Sequence, residues 1–218
     1  MKKHLIIAAV IIAAFAAAIG SFAAFSPQSR TSTINAEPAA DAQPVRPSSH
    51  RLTQPEKSEL TVVEFLDFEC EACGAMFPVV ERLRQEYGDR VTFVARYFPM
   101  PGHRNAEPAA HAAEAAAQQG KFPQMYRKLF TAQKSWGEAQ APKAATFRGH
   151  AEQLGLDMKR FGAALQDRRT AERIRIDQRD GLALGVQGTP TFFVGGVKVS
   201  TPVSYQEFKT LIENQLAR

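Results

Sequence analysis

The sequence has few of the residues that build several common classes of protein. Only two of its 218 residues are cysteines, which excludes a disulfide-rich scaffold and a zinc site with four cysteine ligands. It has no dense run of lysine or arginine, so the net charge of +5 does not indicate nucleic-acid binding. Hydrophobic residues make up 44% of the chain, which is typical of a globular protein rather than a disordered one.

The first 25 residues concern location rather than fold. A basic start, Met1–His4, precedes an uncharged apolar run over 5–25, and a membrane-spanning helix needs about 20 such residues. A secretory signal peptide starts in the same way but has a shorter apolar region and a small-residue cleavage site. We favour an uncleaved membrane anchor because the run is long, with a cleaved signal and a secreted domain as the alternative. The lysines would stay cytoplasmic, which places the rest of the chain outside the membrane.

The composition changes after this run. Residues 26–59 contain five prolines and no Phe, Trp or Tyr. Such a segment cannot bury enough apolar surface to offset the entropy lost on ordering. We therefore predict a flexible Pro-rich linker over 26–59, followed by one domain over 60–218.

The domain alternates between strands and helices. Short β-branched and apolar runs predict strands, and apolar residues at helical spacing predict helices. The predicted strands are 61–66, 91–98, 191–194 and 197–199, and the predicted helices are 73–87, a helical region over about 105–184, and a last helix capped by Ser204 and Glu207. This order predicts an α/β fold, in which a sheet with helices on both faces is interrupted by a helical insertion.

Both cysteines lie in one Cys-x-x-Cys pair, Cys70 and Cys73, between the first predicted strand and the helix that follows. Unpaired backbone N–H groups and the helix dipole favour negative charge at a helix start, so a Cys70 thiolate would be stabilised there. Cys73 lies one turn further on, close enough to close a disulfide with Cys70. The pair therefore predicts thiol–disulfide exchange through a mixed disulfide at Cys70.

Two other uses of the cysteine pair stay open on the residues alone. A closed zinc site usually takes four ligands, and His103, His111 and His150 lack the paired spacing of such sites. A structural disulfide is stable outside the cytoplasm, but a two-residue spacer closes a very short loop and stabilises little. We therefore expect redox exchange, with no bound metal and no cofactor.

Two motifs resemble those of the DsbA-like thiol–disulfide oxidoreductases of the thioredoxin superfamily. One is Glu-Phe-Leu-Asp-Phe over 64–68, just before the cysteine pair, and the other is Gly-Thr-Pro-Thr-Phe-Phe-Val over 188–194. The helical middle of the chain is also similar to that family. The resemblance covers 60–218 and implies a thioredoxin fold with an inserted α-helical subdomain.

The resemblance also implies roles for individual residues. Cys70 would be the attacking and attacked cysteine, and Cys73 would be the buried cysteine that resolves the mixed disulfide. Pro190 matches the cis-proline of the family, which lies against the cysteine pair. Thr189, just before it, would offer backbone hydrogen bonds to an extended substrate chain.

Glu64 stands six positions before Cys70, among apolar residues. In similar proteins an acidic residue at this spacing assists proton transfer at the second cysteine, and burial would raise the pKa of such a carboxyl. The alternative is a carboxylate on an edge strand that faces water. His103, in a Pro-rich loop, is a second residue that could approach the cysteines.

The sequence departs from the strongest oxidants of the family between the two cysteines. Those proteins have a His there, whereas this chain has Glu71 and Ala72. Glu69 and Asp67 add negative charge nearby, and negative charge disfavours a thiolate. We therefore expect the Cys70 thiol to be less acidic, and the pair less oxidising, than in those proteins.

These observations predict an extracytoplasmic oxidoreductase that introduces disulfides into reduced secreted proteins. The resemblance implies a membrane quinone-linked thiol oxidase of the DsbB or vitamin K epoxide reductase type as the partner that reoxidises the pair. We expect a monomer and no nucleic-acid partner. The rival functions are a disulfide isomerase or reductase that uses the same cysteines, and a client-binding chaperone module that needs neither.

Overall fold

The computed structural model describes residues 41–218 of the chain. The predicted membrane anchor, 1–25, and residues 26–40 of the predicted linker lie outside this part. Within 41–218, no helix is both long enough and apolar enough to cross a membrane. The strands are β1 (His50–Arg51), β2 (Leu60–Leu66), β3 (Val91–Tyr97), β4 (Thr191–Val194) and β5 (Val197–Val199). The α-helices are α1 (Glu71–Tyr87), α2 (Ala106–Ala117), α3 (Phe122–Ala132), α4 (Ala144–Gln153), α5 (Met158–Gln166), α6 (Arg168–Ala183) and α7 (Tyr205–Leu216).

The five strands form one mixed sheet in the order β1-β3-β2-β4-β5. β2 and β3 are parallel and joined through α1, whereas β4 is antiparallel to β2 and forms a hairpin with β5. β2 is therefore flanked on both sides, and its near-continuous apolar sequence matches a strand that is buried on both faces. The predicted α/β architecture is confirmed.

Helices cover both faces of the sheet. Alternate residues of a strand point to opposite faces, so Val62 packs with Phe208 of α7 while Val63 faces the other side. On that other side, Gly181 of α6 lies so close to Phe98 that a Cβ there would be 2.8 Å from the ring. The sheet is thus a middle layer, with α1 and α7 on one face and α6 on the other.

The helices between β3 and β4 build a core of their own around aromatic side chains. Trp136 is fully buried and packs edge-on against Phe147 of α4, with ring centroids 4.8 Å apart. Phe130 of α3 stacks on Phe77 of α1 and also packs against Phe68, which follows β2. This helical core therefore reaches the segment that carries the cysteines.

The prediction of a flexible linker up to residue 59 is wrong for its described part, 41–59. β1 pairs with β3, and His50 stacks on Phe122 with ring centroids 3.9 Å apart. The guanidinium of Arg46 donates to both carboxylate oxygens of Asp180 on α6. The prediction failed because it counted apolar surface, whereas this segment is held by backbone pairing and by ion pairs with the domain.

A buried ion-pair network fixes that segment to the domain. Arg96 of β3 is fully buried and donates to Asp177 and Asp180, each at 2.5 Å. A third nitrogen of Arg96 donates to the carbonyls of residues 43 and 44. Arg173 of α6 also contacts Asp177, at 2.6 Å. The arginine and aspartate side chains of this network are therefore part of the interior of the domain.

Candidate active site

The cysteine pair lies where β2 runs into α1. Cys70 is the N-cap residue of α1, with an extended backbone, and its carbonyl accepts the first hydrogen bond of the helix from the Gly74 N–H at 3.0 Å. Both cysteines are free thiols. Cys70 is half-buried, whereas Cys73, inside the first turn, is fully buried. The two sulfur atoms therefore differ in access before any difference in chemistry is considered.

The surroundings of Cys70 stabilise its thiolate and lower the pKa of the thiol to about 5. The largest cause is a hydrogen bond from the Cys73 thiol, and the N–H groups of Cys73 and Ala72 act in the same direction. Burial acts in the opposite direction but is outweighed. Since the thiolate is the nucleophile, Cys70 is the reactive member of the pair.

Cys73 has the opposite character. Burial raises the pKa of its thiol well above the usual range, and its hydrogen bond to Cys70 and the nearby charge of Glu64 raise it further. A thiol that is buried and protonated is a poor nucleophile towards bulk reagents. It can still act on a sulfur that is already bonded to Cys70.

Glu64 is buried, and the alternative of an edge-strand carboxylate facing water is wrong. It lies on β2 between Ala95 of β3 and Phe192 of β4, on the same face as Val62 and Leu66. Its Oε1 has no hydrogen-bond partner within residues 41–218. Burial raises the pKa of this carboxyl to about 8, with smaller contributions from the charges of Cys70 and Glu81. Glu64 is therefore protonated at neutral pH and can release a proton close to Cys73.

The loop before β4 supplies the third part of the site. The peptide bond between Thr189 and Pro190 is cis, as the family resemblance implied. The Cys70 thiol donates to the Thr189 carbonyl across 3.3 Å, and Thr201 donates to the Pro190 carbonyl. A groove of about 360 Å³ beside this loop is lined by residues that include Thr189, Pro190, Lys198 and Thr201. The two sequence motifs, more than a hundred positions apart, thus meet at one place.

The acidic neighbours of Cys70 have hydrogen-bond partners of their own. The buried carboxylate of Glu69 accepts from both nitrogens of Asn105. The carboxylate of Asp67 accepts from the N–H groups of Glu69 and Met100 and from His103. The pKa of the Cys70 thiol is lowered to about 5 with these carboxylates present. Whether this thiol is less acidic than in the strongest oxidants of the family stays a prediction. Whether the pair is less oxidising than the strongest oxidants stays a prediction.

His103 contacts the acidic residue just ahead of the cysteines. Its Nδ1 lies 2.5 Å from Oδ2 of Asp67, which is buried, while the His103 ring is 30% exposed. The charge of Cys70 is among the causes that raise the pKa of His103. His103 therefore lies at the edge of the site, as its place in the Pro-rich loop allowed, and the residue that it contacts there is Asp67.

Gln133 is a buried residue of the site that the sequence analysis did not single out. It follows α3, and its side-chain amide donates to the carbonyls of Phe68 and Cys70, each at 2.8 Å. A lone Gln in a polar stretch after a helix gives no sequence signal of such a contact. No group of three or more His, Cys, Asp or Glu side chains within 41–218 is placed to hold a metal ion.

Comparisons with known proteins identify the family to which this fold belongs. A family model described as thioredoxin matches residues 55–214, nearly the whole described domain. The chain belongs to the thioredoxin family. The match spans the cysteine pair, the helical insertion and the cis-proline loop, so the thioredoxin fold predicted from the resemblance is confirmed.

Solved thioredoxin-like structures share this fold. A thioredoxin-like oxidoreductase from Silicibacter pomeroyi superimposes with a TM-score of 0.69 and 26% identity, over 82% of this chain and 98% of that one. BdbD from Bacillus subtilis gives a TM-score of 0.70 and 23% identity, over 81% of this chain and 97% of that one. Wolbachia pipientis α-DsbA1 gives 0.70 and 18% identity over 79% and 93%. The last two likenesses concern the fold alone.

Curated relatives of this thioredoxin-family chain carry a different kind of name. An Na⁺/H⁺ antiporter NhaA 3 of Salinispora tropica is 37% identical over 175 residues, which is 80% of this chain and 26% of that protein. The antiporter NhaA 1 of Salinispora arenicola is 41% identical over 154 residues, 70% of this chain and 22% of that protein. The chain thus spans about a quarter of the length of these relatives, and the antiport in their names belongs to those proteins.

Proposed function

We propose that this protein is a thiol–disulfide oxidoreductase that introduces disulfides into reduced secreted proteins through Cys70 and Cys73. The observation that carries the proposal is the opposite character of the two thiols. Cys70 is accessible and its pKa is about 5, whereas Cys73 is buried and its pKa is raised. A structural disulfide or a passive binding surface needs no such difference, whereas stepwise exchange depends on it.

The exchange begins with the Cys70–Cys73 disulfide. A substrate thiolate attacks Cys70 Sγ, a new S–S bond forms to the substrate, and the bond to Cys73 breaks. Cys73 leaves with the electron pair and takes a proton. The buried carboxyl of Glu64 can supply that proton, because its pKa of about 8 keeps it protonated at neutral pH. The extended substrate chain would lie in the groove beside Thr189 and Pro190.

A second substrate thiolate then completes the reaction. It attacks the substrate sulfur of the mixed disulfide, so that a substrate disulfide forms and Cys70 leaves as a thiolate. Two electrons have passed from the substrate to the pair. A thiol of low pKa is the better leaving group, and a stabilised thiolate favours the reduced pair, which makes the pair an oxidant. Reoxidation would fall to a membrane quinone-linked thiol oxidase of the DsbB or vitamin K epoxide reductase type.

The reduction potential of the pair tests the direction of this reaction. The full chain is equilibrated with mixtures of reduced and oxidised glutathione, and the fraction of oxidised pair is measured. We expect a value much closer to about −120 mV, that of a strong oxidant, than to about −270 mV, that of thioredoxin. A value in the thioredoxin range overturns the oxidase function in favour of a reductase.

A cysteine-free control separates exchange from client binding. The double variant Cys70→Ser, Cys73→Ser should lose all disulfide transfer to a reduced, unfolded protein. The single variant Cys73→Ser should accumulate a mixed disulfide at Cys70, because the resolving thiol is absent. If the double variant protects its clients as well as the unchanged chain does, the chaperone function replaces the redox one.

Location and assembly are part of the same proposal. We place the domain outside the cytoplasmic membrane, held by the apolar segment over 5–25 or released if that segment is cleaved, and we propose that it works as a monomer. Protease added to intact spheroplasts should digest the domain, and the retained N-terminus should be detectable by mass spectrometry. Protection from protease would contradict the proposed location.

A further inference from the structure

One side chain of the helical insertion, that of Gln133, forms hydrogen bonds to the backbone of the cysteine-bearing loop. The residue begins a short 3₁₀ turn, Gln133–Ser135, that follows α3, and it is 8% exposed. Its Nε2 donates one hydrogen bond to the Phe68 carbonyl and one to the Cys70 carbonyl, each 2.8 Å long. A primary amide carries two N–H donors, so both are used on the loop that leads into α1.

The orientation of this amide is fixed by chemistry. With the amide reversed, the Gln133 oxygen would face two carbonyl oxygens, which offer no donor. The oxygen instead faces Gly74 of α1, where an added Cβ would collide with it. The backbone carbonyl of Gln133 also accepts from the Gly137 N–H at 2.7 Å, and a Cβ on Gly137 would lie 3.1 Å from that backbone oxygen. Two glycines therefore leave the space that Gln133 occupies.

The bonds that Gln133 makes bear on the reactive atom. The carbonyl of Cys70 is held at once by Gln133 and by the Gly74 N–H, and the carbonyl of Phe68 fixes the chain two residues earlier. The Cys70 sulfur depends on N–H groups of Cys73 and Ala72 for part of its thiolate stabilisation, so a rotation of the Cys70 backbone would move it out of their reach.

We propose that Gln133 is a positioning residue through which the helical insertion holds Cys70 in the orientation that presents its sulfur to the start of α1. It touches neither substrate nor the reacting sulfur, and acts only through the main chain of residues 68 and 70. The inference deepens the proposed exchange function and rests on it for its biological meaning. It also gives the insertion a task at the cysteine pair besides packing.

The test compares Gln133→Met with a matched control in the same subdomain, using the full chain. Met keeps the length and nearly the volume of Gln but donates no hydrogen bond. The control is Gln119→Met, because Gln119 also makes two hydrogen bonds, both to the backbone of Asp157 and far from the loop. The readouts are the pH dependence of iodoacetamide labelling of Cys70 and the reduction potential against glutathione.

We expect Gln133→Met to raise the pKa of Cys70 by about one pH unit, a tenfold change in its acid dissociation constant. The reduction potential should fall by about 30 mV, which is the same tenfold change for a two-electron couple. Gln119→Met should change neither value. A folded Gln133→Met variant with the pKa and potential of the unchanged chain overturns the proposal.

A second pair of variants covers the case in which Gln133→Met does not fold. Gln133→Asn keeps the amide but falls one methylene short of the carbonyls, and Gly74→Ala leaves Gln133 intact but displaces its amide. Both should raise the pKa of Cys70, and unchanged values in both refute the role of Gln133. Labelling by iodoacetamide needs no protein substrate. A failure of disulfide transfer in the unchanged chain would therefore refute the exchange function without deciding this one.

Discussion

The Nδ1 of His103 lies 2.5 Å from the buried carboxylate of Asp67, and this contact ties the loop after β3 to the residue three positions before Cys70. Burial acts to lower the pKa of His103, but the hydrogen bond and charge of Asp67 outweigh it, so the pKa is raised. Burial likewise raises the pKa of Asp67 against the hydrogen bonds it accepts. The pair is thus a charged contact whose strength depends on pH.

Replacing His103 should therefore lower stability at low pH and lose its effect as pH rises. A histidine whose pKa is raised on folding contributes stability below its unfolded pKa of about 6.5, and the contribution is lost as pH rises through the folded value. We expect His103→Gln to unfold at a lower denaturant concentration than the unchanged chain at pH 6. At pH 9 the two unfolding midpoints should be nearly the same. The fluorescence of Trp136, the only tryptophan, reports unfolding. His111→Gln, away from Asp67, is the control, and an equal loss at both pH values would contradict the prediction.

Glu64 should cost the protein stability at neutral and higher pH. Its folded pKa of about 8 lies above the value of 4.5 for a free carboxyl, so folding becomes less favourable as pH rises between the two. Glu64→Leu removes the charge and the unpaired oxygen, and should stabilise the fold at pH 8 by about 1–3 kcal/mol. Urea unfolding at pH 4.5 and pH 8 gives the comparison, and a smaller gain at pH 8 than at pH 4.5 would rule the explanation out.

The same substitution should slow disulfide exchange, since in the proposed mechanism Glu64 supplies the proton that Cys73 takes. Glu64→Gln separates the two effects, because the amide keeps the polarity but cannot release a proton at neutral pH. We expect both variants to transfer disulfides more slowly at pH 7 while the pKa of Cys70 changes little. Stopped-flow measurement of Trp136 fluorescence during reduction follows the reaction. Full rates in both variants would remove Glu64 from the mechanism.

The Cys73 thiol should be the main source of the low pKa of Cys70. Its hydrogen bond is the largest cause of the shift from 9 to about 5. Ser at position 73 keeps a donor and Ala does not, so the pKa of Cys70 should rise more in Cys73→Ala than in Cys73→Ser. Iodoacetamide labelling as a function of pH measures both. Equal values in the two variants would show that the helix N–H groups, rather than the Cys73 side chain, stabilise the thiolate.

The buried charge of Arg96 should be essential for the fold. Removing one partner of a buried ion pair leaves the other charge unpaired and typically costs about 3–5 kcal/mol. Arg96→Leu leaves the carboxylates of Asp177 and Asp180 without this buried partner. The carbonyls of residues 43 and 44 also lose their hydrogen-bond donor. Arg169→Ala breaks an exposed Arg–Asp pair instead and should leave unfolding unchanged. Similar midpoints for the two variants in urea would contradict the network's role.

The local sequence pattern was sufficient to predict the strands and helices. The β-branched run before the cysteines is β2, the hairpin over 191–199 is β4 and β5, and the last helix begins after Ser204, whose hydroxyl accepts from the Glu207 N–H. The expected reciprocal bond differs in one detail, because the Glu207 carboxylate accepts from Val203 rather than from Ser204. These features depend on neighbours within a few positions, and periodicity records such neighbours directly.

Polar contacts between residues far apart in the chain could not be predicted from the sequence in the same way. Glu69 and Asp67 look like charges that oppose a thiolate at Cys70, but their partners Asn105 and His103 stand 36 positions further along. A sequence gives the charge of a carboxylate but not the direction in which it points. The hydrogen-bond partners of these two carboxylates were therefore visible only in the tertiary structure.

By itself the sequence determined the α/β order, the position of Cys70 and Cys73 at a strand-to-helix junction, and the redox chemistry that this position favours. The tertiary structure decided that residues 41–59 pack on the domain, that Glu64 is buried near Cys73, and that Gln133 holds the cysteine loop. The physical reason is one of range. Propensity and periodicity act between neighbours, whereas burial and hydrogen-bond partners depend on segments that meet only when the chain has folded.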